Sequence, residues 1–326
     1  MSLYSNICFY GGGAWGQALA ISLASIGYSS TLIVSDKNRE QEINNRISKK
    51  FPEIRLSPLI SASVKNREKL SQFDIIFITT ESKRVIEVIR EISLSNNKAN
   101  VVITSKGFAN NTGELFNETI QKQFPSIIIS VLTGPTFADE IAKNQPAAAI
   151  VASKELAHAQ SICQLFHNSN LRLYPSDDTK GASIAGAVKN IIAIGAGIIQ
   201  GLGLGDNAKA ALITRGISET SSLIEKLGGN PKTAFGLAGI GDMSLTCSGP
   251  HSRNMAYGMQ ITKDINADPQ DLVEGLNAIE AAINLSKKLN LELPIIFAIN
   301  KIIKRETSIE ETIKQLFSRP ISNEFK

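Results

Sequence analysis

The segment Ile7-Cys8-Phe9-Tyr10-Gly11-Gly12-Gly13-Ala14-Trp15-Gly16, running on into Gln17-Ala18-Leu19-Ala20-Ile21-Ser22-Leu23-Ala24, decides the fold of this chain. Ile7 to Tyr10 is a short apolar run of the kind that forms a buried strand, and residues 17–24 favour helix. Between them the glycines have the spacing GxGxxG. Gly11 permits the tight turn, Gly13 removes the side chain that would hold the backbone away from a pyrophosphate, and Gly16 lets helix pack closely on strand. The helix N-terminus then presents unpaired N–H groups and the positive end of its dipole to phosphate. A second strand ends at Ser35-Asp36, twenty residues past Gly16. A chance glycine-rich turn would lack that flanking strand, helix and second strand.

Outward from this turn, short β-branched runs alternate with helical patterns at Thr31 to Val34, Ile75 to Thr79, Val101 to Thr104, Ile127 to Leu132 and Ala148 to Ala152. Such alternation predicts parallel βαβ units with helices on both faces of a sheet. No structure is assigned to Lys49 to Asn66. Near residue 180 the apolar period lengthens and strand patterns end. The chain therefore divides into a Rossmann-type α/β dinucleotide-binding domain, residues 1–180, and an all-α helical domain, residues 181–326. The most apolar stretch, Ala182 to Leu204, approaches membrane-spanning length but carries Lys189 and Asn190 at its centre, so it is read as a buried helix.

The 326 residues include 34 Lys or Arg and 30 Asp or Glu, a net charge of +4, with 43% hydrophobic residues. A core of that size excludes disorder, and so even a balance gives no basic stripe for nucleic acid or a membrane surface. Cys8, Cys163 and Cys247 are scattered, odd in number and without a CxxC, which argues against a disulfide framework or a metal cluster. The N-terminus shows no leader pattern. A cytoplasmic protein with a small-molecule partner, no nucleic acid partner and no bound metal is expected.

Three loops of small residues carry isolated functional groups. Ser105-Lys106-Gly107 and Thr133-Gly134-Pro135-Thr136-Phe137-Ala138 follow predicted strands, at the carboxyl ends where open α/β sheets bind ligands, so Lys106 and Thr136 should share the cofactor's crevice. In Gly239-Ile240-Gly241-Asp242 through Ser252-Arg253-Asn254, the last three residues suit an anion clamp or a helix start capped by Ser252. Lys189 has Ala185 and Ala193 one helical turn away on either side. A lysine so placed is either a general acid or base tuned by burial, or the partner of a buried carboxylate such as Asp206 or Asp242. Asp36 suits a ribose 2′-hydroxyl and hence NAD, whereas Lys37 and Arg39 suit a 2′-phosphate and hence NADP.

Taken together, GGGAWGQALA, SKG, GPTFADEIA, GAVKNIIAIGAGIIQGLGLGDNAKAALITRG, GLAGIGDMSLTC, SRN and LVEG closely resemble, in order and spacing over nearly the whole chain, the bacterial-type NAD(P)-dependent glycerol-3-phosphate dehydrogenases. The resemblance implies reversible reduction of dihydroxyacetone phosphate to sn-glycerol 3-phosphate, a supply of backbone for phospholipid synthesis, and NAD or NADP (NADH or NADPH) as cofactor. It places the catalytic acid and base at Lys189. Substrate contacts fall on Lys106, Gly134, Thr136, Lys189, Asn190, Asp242, Thr246 and the phosphate clamp Ser252, Arg253 and Asn254. Cofactor contacts fall on Gly11, Gly13, Ala14, Trp15, Gly16, Ser35, Asp36, Lys106, Ala138, Arg253, Leu272 and Glu274. A homodimer is the family's usual form. This chain departs from the family at Thr80-Glu81-Ser82, where Val-Pro-Ser is usual, at Ser35, where a basic residue is frequent, and between Asn44 and Pro58, where an Asn-x-x-Tyr-Leu-Pro segment is missing. The competing readings are another two-domain reductase, of the 6-phosphogluconate or ketopantoate type, and a non-catalytic nucleotide sensor. The sensor is opposed by the presence of Lys189, Asp242 and Arg253.

Overall fold

The computed structural model describes every residue except 1, 2, 97, 110–112, 250, 251, 270–272, 322, 325 and 326, and all side chains of the rest but that of Arg67. The first strand, β1 (Ile7–Tyr10), is buried at every residue. Successive side chains point to opposite faces of a sheet. Ile7 and Phe9 accordingly join one apolar cluster with Leu19 and Leu23, and Cys8 and Tyr10 join another with Val88 and Ile89. Both faces are therefore covered by helices, which is why the strand reads as a continuous apolar run rather than an alternating one. On the first face Phe77 stacks between Phe9 and Phe166, at ring-centroid distances of 5.1 and 5.9 Å.

The remaining strands are β2 (Ser30–Val34), β3 (Ile60–Val64), β4 (Ile75–Ile78), β5 (Asn100–Ile103), β6 (Ile128–Thr133), β7 (Ala147–Ser153) and β8 (Leu171–Ser176). They form one sheet in the order β3-β2-β1-β4-β5-β6-β7-β8. The order reverses direction between β1 and β4, the switch point at which doubly wound sheets open a crevice for ligands.

Two of these features correct the sequence reading. First, β3 lies inside the unassigned segment and β8 in a stretch not read as a strand. Second, β7 pairs antiparallel with β6 instead of continuing the parallel series. The connection between them holds only a five-residue helix, Ala138–Ala142. Such a helix rises about 7.5 Å, too little to carry the chain back along the roughly 20 Å length of β6. Instead it packs against the helix Ala14–Ala24 at the carboxyl end of the sheet, so β7 starts where β6 stops and runs the other way. This keeps Gly134 to Ala138 beside the glycine turn.

The sheet ends at Ser176, and the central helix Thr179–Gly201 follows at once. Asp178 caps it, accepting the Gly181 N–H at 2.9 Å, and ties it to the next layer through the Asn230 N–H and the Thr233 hydroxyl at 3.0 and 2.6 Å. Among the described residues this is the one helix long and apolar enough to cross a membrane, yet 89% of its apolar window is buried inside the molecule. Helices Gly205–Lys226, Arg253–Ile261 and Glu274–Leu289 surround it. The approach to Arg253–Ile261 is especially close. A Cβ on Gly197 would stand 2.1 Å from the Met255 carbonyl oxygen, and one on Gly258 would stand 2.1 Å from that of Ile194. These two glycines seat Arg253–Ile261 on the Ile194 to Gly197 stretch of the central helix, and the Asn254 side chain reaches Asn190 from there at 3.0 Å.

Candidate active site

The glycine turn is shaped by what it excludes. A Cβ on Gly16 would lie 2.1 Å from the Gly11 carbonyl oxygen, so only glycine lets the helix start there. A Cβ on Gly13 would meet nothing within 4 Å, leaving open space above the first turn. No side chain caps the N-terminus of Ala14–Ala24. Its first N–H groups, beginning at Ala14 and Trp15, are thus available to an anion. Thr79, at the carboxyl end of β4, fastens the turn by donating to the Gly11 carbonyl at 2.9 Å. Beside the turn lies a cleft of about 460 Å³, bounded by the ends of β1, β2 and β4 and lined in part by Ser35, Arg39, Lys65 and Lys83. Volume, glycine cradle and uncapped helix suit a dinucleotide.

The second half of the site is a cluster of buried charge. Lys189, on the central helix, donates to Asp242 Oδ1 at 2.6 Å and to the Thr246 hydroxyl at 2.8 Å. Lys106, on the loop after β5, donates to the other carboxylate oxygen, Asp242 Oδ2, at 2.5 Å. Side-chain exposure is only 2% for Asp242, 9% for Lys189 and 17% for Lys106. One carboxylate therefore bridges two ammonium groups largely out of water, where the attraction has to offset a heavy desolvation cost. Burial lowers the Lys189 pKa to about 8; the Lys106 charge acts the same way, and Asp242 opposes both. Thr246 is itself fixed by donating to the Asp242 main-chain carbonyl at 2.6 Å. An ammonium carries three donors, so Lys189 keeps one for a ligand.

Lys106 also approaches the Gly134 carbonyl at 3.4 Å, the same oxygen that accepts from the Thr136 hydroxyl at 3.1 Å. Gly134 admits no side chain, because a Cβ would stand 2.7 Å from the Ala149 Cα on β7. On the far wall Asn254 donates to Asn190 at 3.0 Å and accepts the Gly275 N–H at 2.9 Å, while Asn190 reaches Glu274 at 3.4 Å. Burial raises the Glu274 pKa, against the pull of Lys106, Arg253 and Lys189. Ser252 caps Arg253–Ile261 by accepting the Met255 N–H. Arg253 itself is exposed.

The chain matches the family model for the N-terminus of NAD-dependent glycerol-3-phosphate dehydrogenase over residues 6–159 and that for the C-terminus over residues 178–314. The chain belongs to the NAD-dependent glycerol-3-phosphate dehydrogenase family. A glycerol-3-phosphate dehydrogenase [NAD(P)+] of Francisella tularensis subsp. novicida is 36% identical over 99% of this chain and 100% of the relative. The crystal structure of glycerol-3-phosphate dehydrogenase from Coxiella burnetii superimposes with a TM-score of 0.86 at 30% identity, covering 97% of this chain and 99% of that one. A ketopantoate reductase from Ralstonia eutropha reaches a TM-score of 0.62 at 13% identity over 94% of this chain and 99% of its own, a likeness of fold alone. The rival two-domain reductase reading of that type therefore reflects shared architecture.

The site residues expected of a glycerol-3-phosphate dehydrogenase fall into two groups, with Ser252 and Arg253 apart from both at the start of Arg253–Ile261. Lys106, Gly134, Thr136, Lys189, Asn190, Asp242, Thr246, Asn254 and Glu274 form one connected set. Gly11, Gly13, Ala14, Trp15, Gly16, Ser35 and Ala138 stand around the turn and its cleft. Asp36 does not line that cleft: its carboxylate caps the helix Lys37–Asn44, accepting the Arg39 N–H and the Ser35 hydroxyl, each at 2.9 Å. Those bonds lower its pKa. Leu272 lies outside the described residues. Of the two carboxylates weighed for Lys189, Asp242 takes it, and Asp206 pairs with Lys209 at 2.9 Å. Sequence reading passed over Thr79, Lys65 and Lys83. Thr79 could have been found as a polar residue ending a strand at the switch point, whereas Lys65 sits at the end of the unassigned β3.

Proposed function

We propose that this chain catalyses the reversible NAD(P)H-dependent reduction of dihydroxyacetone phosphate to sn-glycerol 3-phosphate, with Lys189 moving the proton. The observation that carries the reading is the single carboxylate of Asp242 clamping Lys189 and Lys106 side by side. The nicotinamide cofactor, when bound along the glycine turn, supplies or accepts the hydride. Lys189 Nζ donates its remaining proton to the carbonyl oxygen of the ketone and, in reverse, takes the proton from the secondary hydroxyl. A buried amine with a pKa near 8 serves both directions close to neutral pH. Lys106 holds the substrate oxygen side of the crevice positive as alkoxide character develops. Ser252, Arg253 and Asn254 receive the phosphate: the helix start supplies N–H groups and dipole, and Arg253 a guanidinium fork. Asn190, itself bonded to Glu274, and the Gly275 N–H together hold Asn254 in register with the central helix.

The division into a cofactor domain, residues 1–180, and a substrate domain, residues 181–326, is supported by the change from sheet to helices between Ser176 and Thr179. Family membership supports a cytoplasmic homodimer whose product serves phospholipid synthesis. Lys189→Ala tests the chemistry: turnover of dihydroxyacetone phosphate should fall by about 10²–10⁴-fold. Near-normal turnover, with folding and cofactor binding intact, would remove Lys189 from the mechanism. Initial rates with NADH and NADPH test the substrate: oxidation of neither with dihydroxyacetone phosphate, alongside turnover of a hydroxyacid, would overturn the reading.

A further inference from the structure

Thr133, the last residue of β6, is 2% exposed, and among the described residues its hydroxyl makes no hydrogen bond. Packing does not explain that hydroxyl. Val131, two residues earlier on the same face of the strand, packs on Ala182 of the central helix. Thr133 meets the next turn of that helix, where a Cβ on Gly186 would stand 3.0 Å from its Oγ1 and 3.5 Å from Lys106 Cγ. Valine has nearly the same shape and would make this contact without burying a polar group. Thr133 also lines a cavity of about 10 Å³, whose polar side chains are Ser105, Lys106, Thr133 and Ser183 and whose other lining residues are apolar or glycine. That is room for one water. The count of donors fits one as well. Ser105 donates its proton to the Thr80 carbonyl at 2.7 Å and Ser183 its own to the Thr179 carbonyl at 2.8 Å, so both hydroxyl oxygens are left as acceptors. Thr133 has a proton without an acceptor. A single water accepts from Thr133 and donates to the two serines.

We propose that Thr133 holds a structural water in this cavity and through it positions Lys106 against Asp242, which makes Thr133 a positioning residue of the reaction. The inference rests on the assignment of proton transfer to Lys189. The water ties together three elements that carry the site: the loop after β5 through Ser105, the end of β6 through Thr133, and the central helix through Ser183. Lys106 follows Ser105 directly, and Gly134 follows Thr133. Without the water, the loop after β5 is free to swing the Lys106 ammonium away from Asp242 Oδ2.

High-resolution crystallography of wild type and Thr133→Val, with kinetics, tests it. Wild type should show one ordered water bonded to Thr133 Oγ1 and to the Ser105 and Ser183 oxygens, and Thr133→Val should lose it. In Thr133→Val, kcat for dihydroxyacetone phosphate should fall about tenfold or more, because small misplacements of groups around a reacting centre are costly, while NAD(P)H affinity holds. The pH profile separates positioning from mere loss of packing. Lys106 lowers the Lys189 pKa and Asp242 raises it. A Lys106 swung off Asp242 leaves Lys189 the whole carboxylate, with Glu274 and Arg253 on the far wall unchanged, so the rise of glycerol 3-phosphate oxidation with pH should move to higher pH. Thr133→Ser, which keeps the hydroxyl, should keep the wild-type kcat and midpoint. No ordered water at Thr133 in wild type, or wild-type turnover and midpoint in Thr133→Val, overturns the proposal, as does a fall in turnover that only follows the folded fraction. Wild type inactive on dihydroxyacetone phosphate instead overturns the assignment of Lys189 and the positioning role with it, and the water peak then decides the cavity site by itself.

Discussion

The glycine turn and the lysine cluster, to which we assign the cofactor and the proton of the proposed reaction, are built in opposite ways. The turn occupies six consecutive residues, Gly11 to Gly16, and works through backbone and missing side chains. The cluster gathers Lys106, Lys189, Asp242, Thr246, Asn254 and Glu274 from five separate segments, and works through side chains that are mostly buried and charged. Gly16 closes on the Gly11 carbonyl oxygen whereas Gly13 faces open space, so the effects of those two glycines are separable. Buried charges are not separable, because each one's cost depends on the partner that neutralises it. A continuous motif can thus be legible in isolation while the cluster has meaning only as a set.

The largest expected effect breaks the cluster at its hinge. Asp242→Ala leaves Lys106 and Lys189 facing each other without their shared carboxylate. Catalytic efficiency should fall by at least about 10³-fold, and urea unfolding should show a loss of roughly 3–5 kcal/mol, as for a broken buried pair. A cycle of Lys106→Met, Lys189→Met and the double variant should then give a coupling of about 0.5–3 kcal/mol in stability. Strict additivity would mean the cluster is no more cooperative than the turn. Next in size is a pair of substitutions within the turn. Gly16→Val places carbon 2.1 Å from the Gly11 carbonyl oxygen and should cost about 1–3 kcal/mol of stability. Gly13→Val meets no protein atom within 4 Å; its unfolding midpoint should hold while NAD(P)H affinity drops roughly tenfold or more. Equal stability losses would show that the two glycines are not separable. The smallest effect is a pH signature. Lys189 must be neutral to accept a proton and charged to donate one, and its pKa lies near 8. Oxidation of glycerol 3-phosphate should therefore accelerate as pH rises through about 8, and reduction of dihydroxyacetone phosphate should slow over the same interval. Parallel profiles in the two directions would detach Lys189 from the proton transfer.

The six strands that sequence located are those rich in Ile, Val, Phe or Ala, five of them parallel, whose continuous apolar runs follow from burial on both faces. The two it missed are the edges of the sheet. In β3, Ile60-Ser61-Ala62-Ser63-Val64, serines replace the apolar run. In β8, Leu171 and Leu173 alternate with exposed Arg172 and Tyr174, and Pro175 interrupts the pattern, as is tolerated at an edge where one row of hydrogen bonds goes unmade. Strand direction was equally hidden: nothing in Ala147 to Ser153 says that β7 runs against β6, because the answer depends on a short helix docking on Ala14–Ala24.

The site divides along the same line. Lys189 stood out because a charge in the middle of an apolar helix is costly wherever that helix is buried. Its two candidate carboxylates, Asp206 and Asp242, could not be ranked from spacing, since the choice depends on which helix packs on the central one. Asp36 shows the converse: its place at the end of β2 suits a ribose, but the nearer demand of a helix N-terminus takes its carboxylate.

By itself, then, the sequence determined the elements whose causes are local: the strand–turn–helix at residues 7–24, the apolar period of the central helix, and the small-residue loops beside it. Those follow from steric freedom, propensity and hydrophobic period over a few neighbouring residues. Only the tertiary structure decided that Asp242 joins Lys106 to Lys189, that Asp36 turns to its cap, and that β7 reverses. Each of these depends on which surfaces meet across long sequence separations, where burial sets the strength of every charge and packing sets its partner.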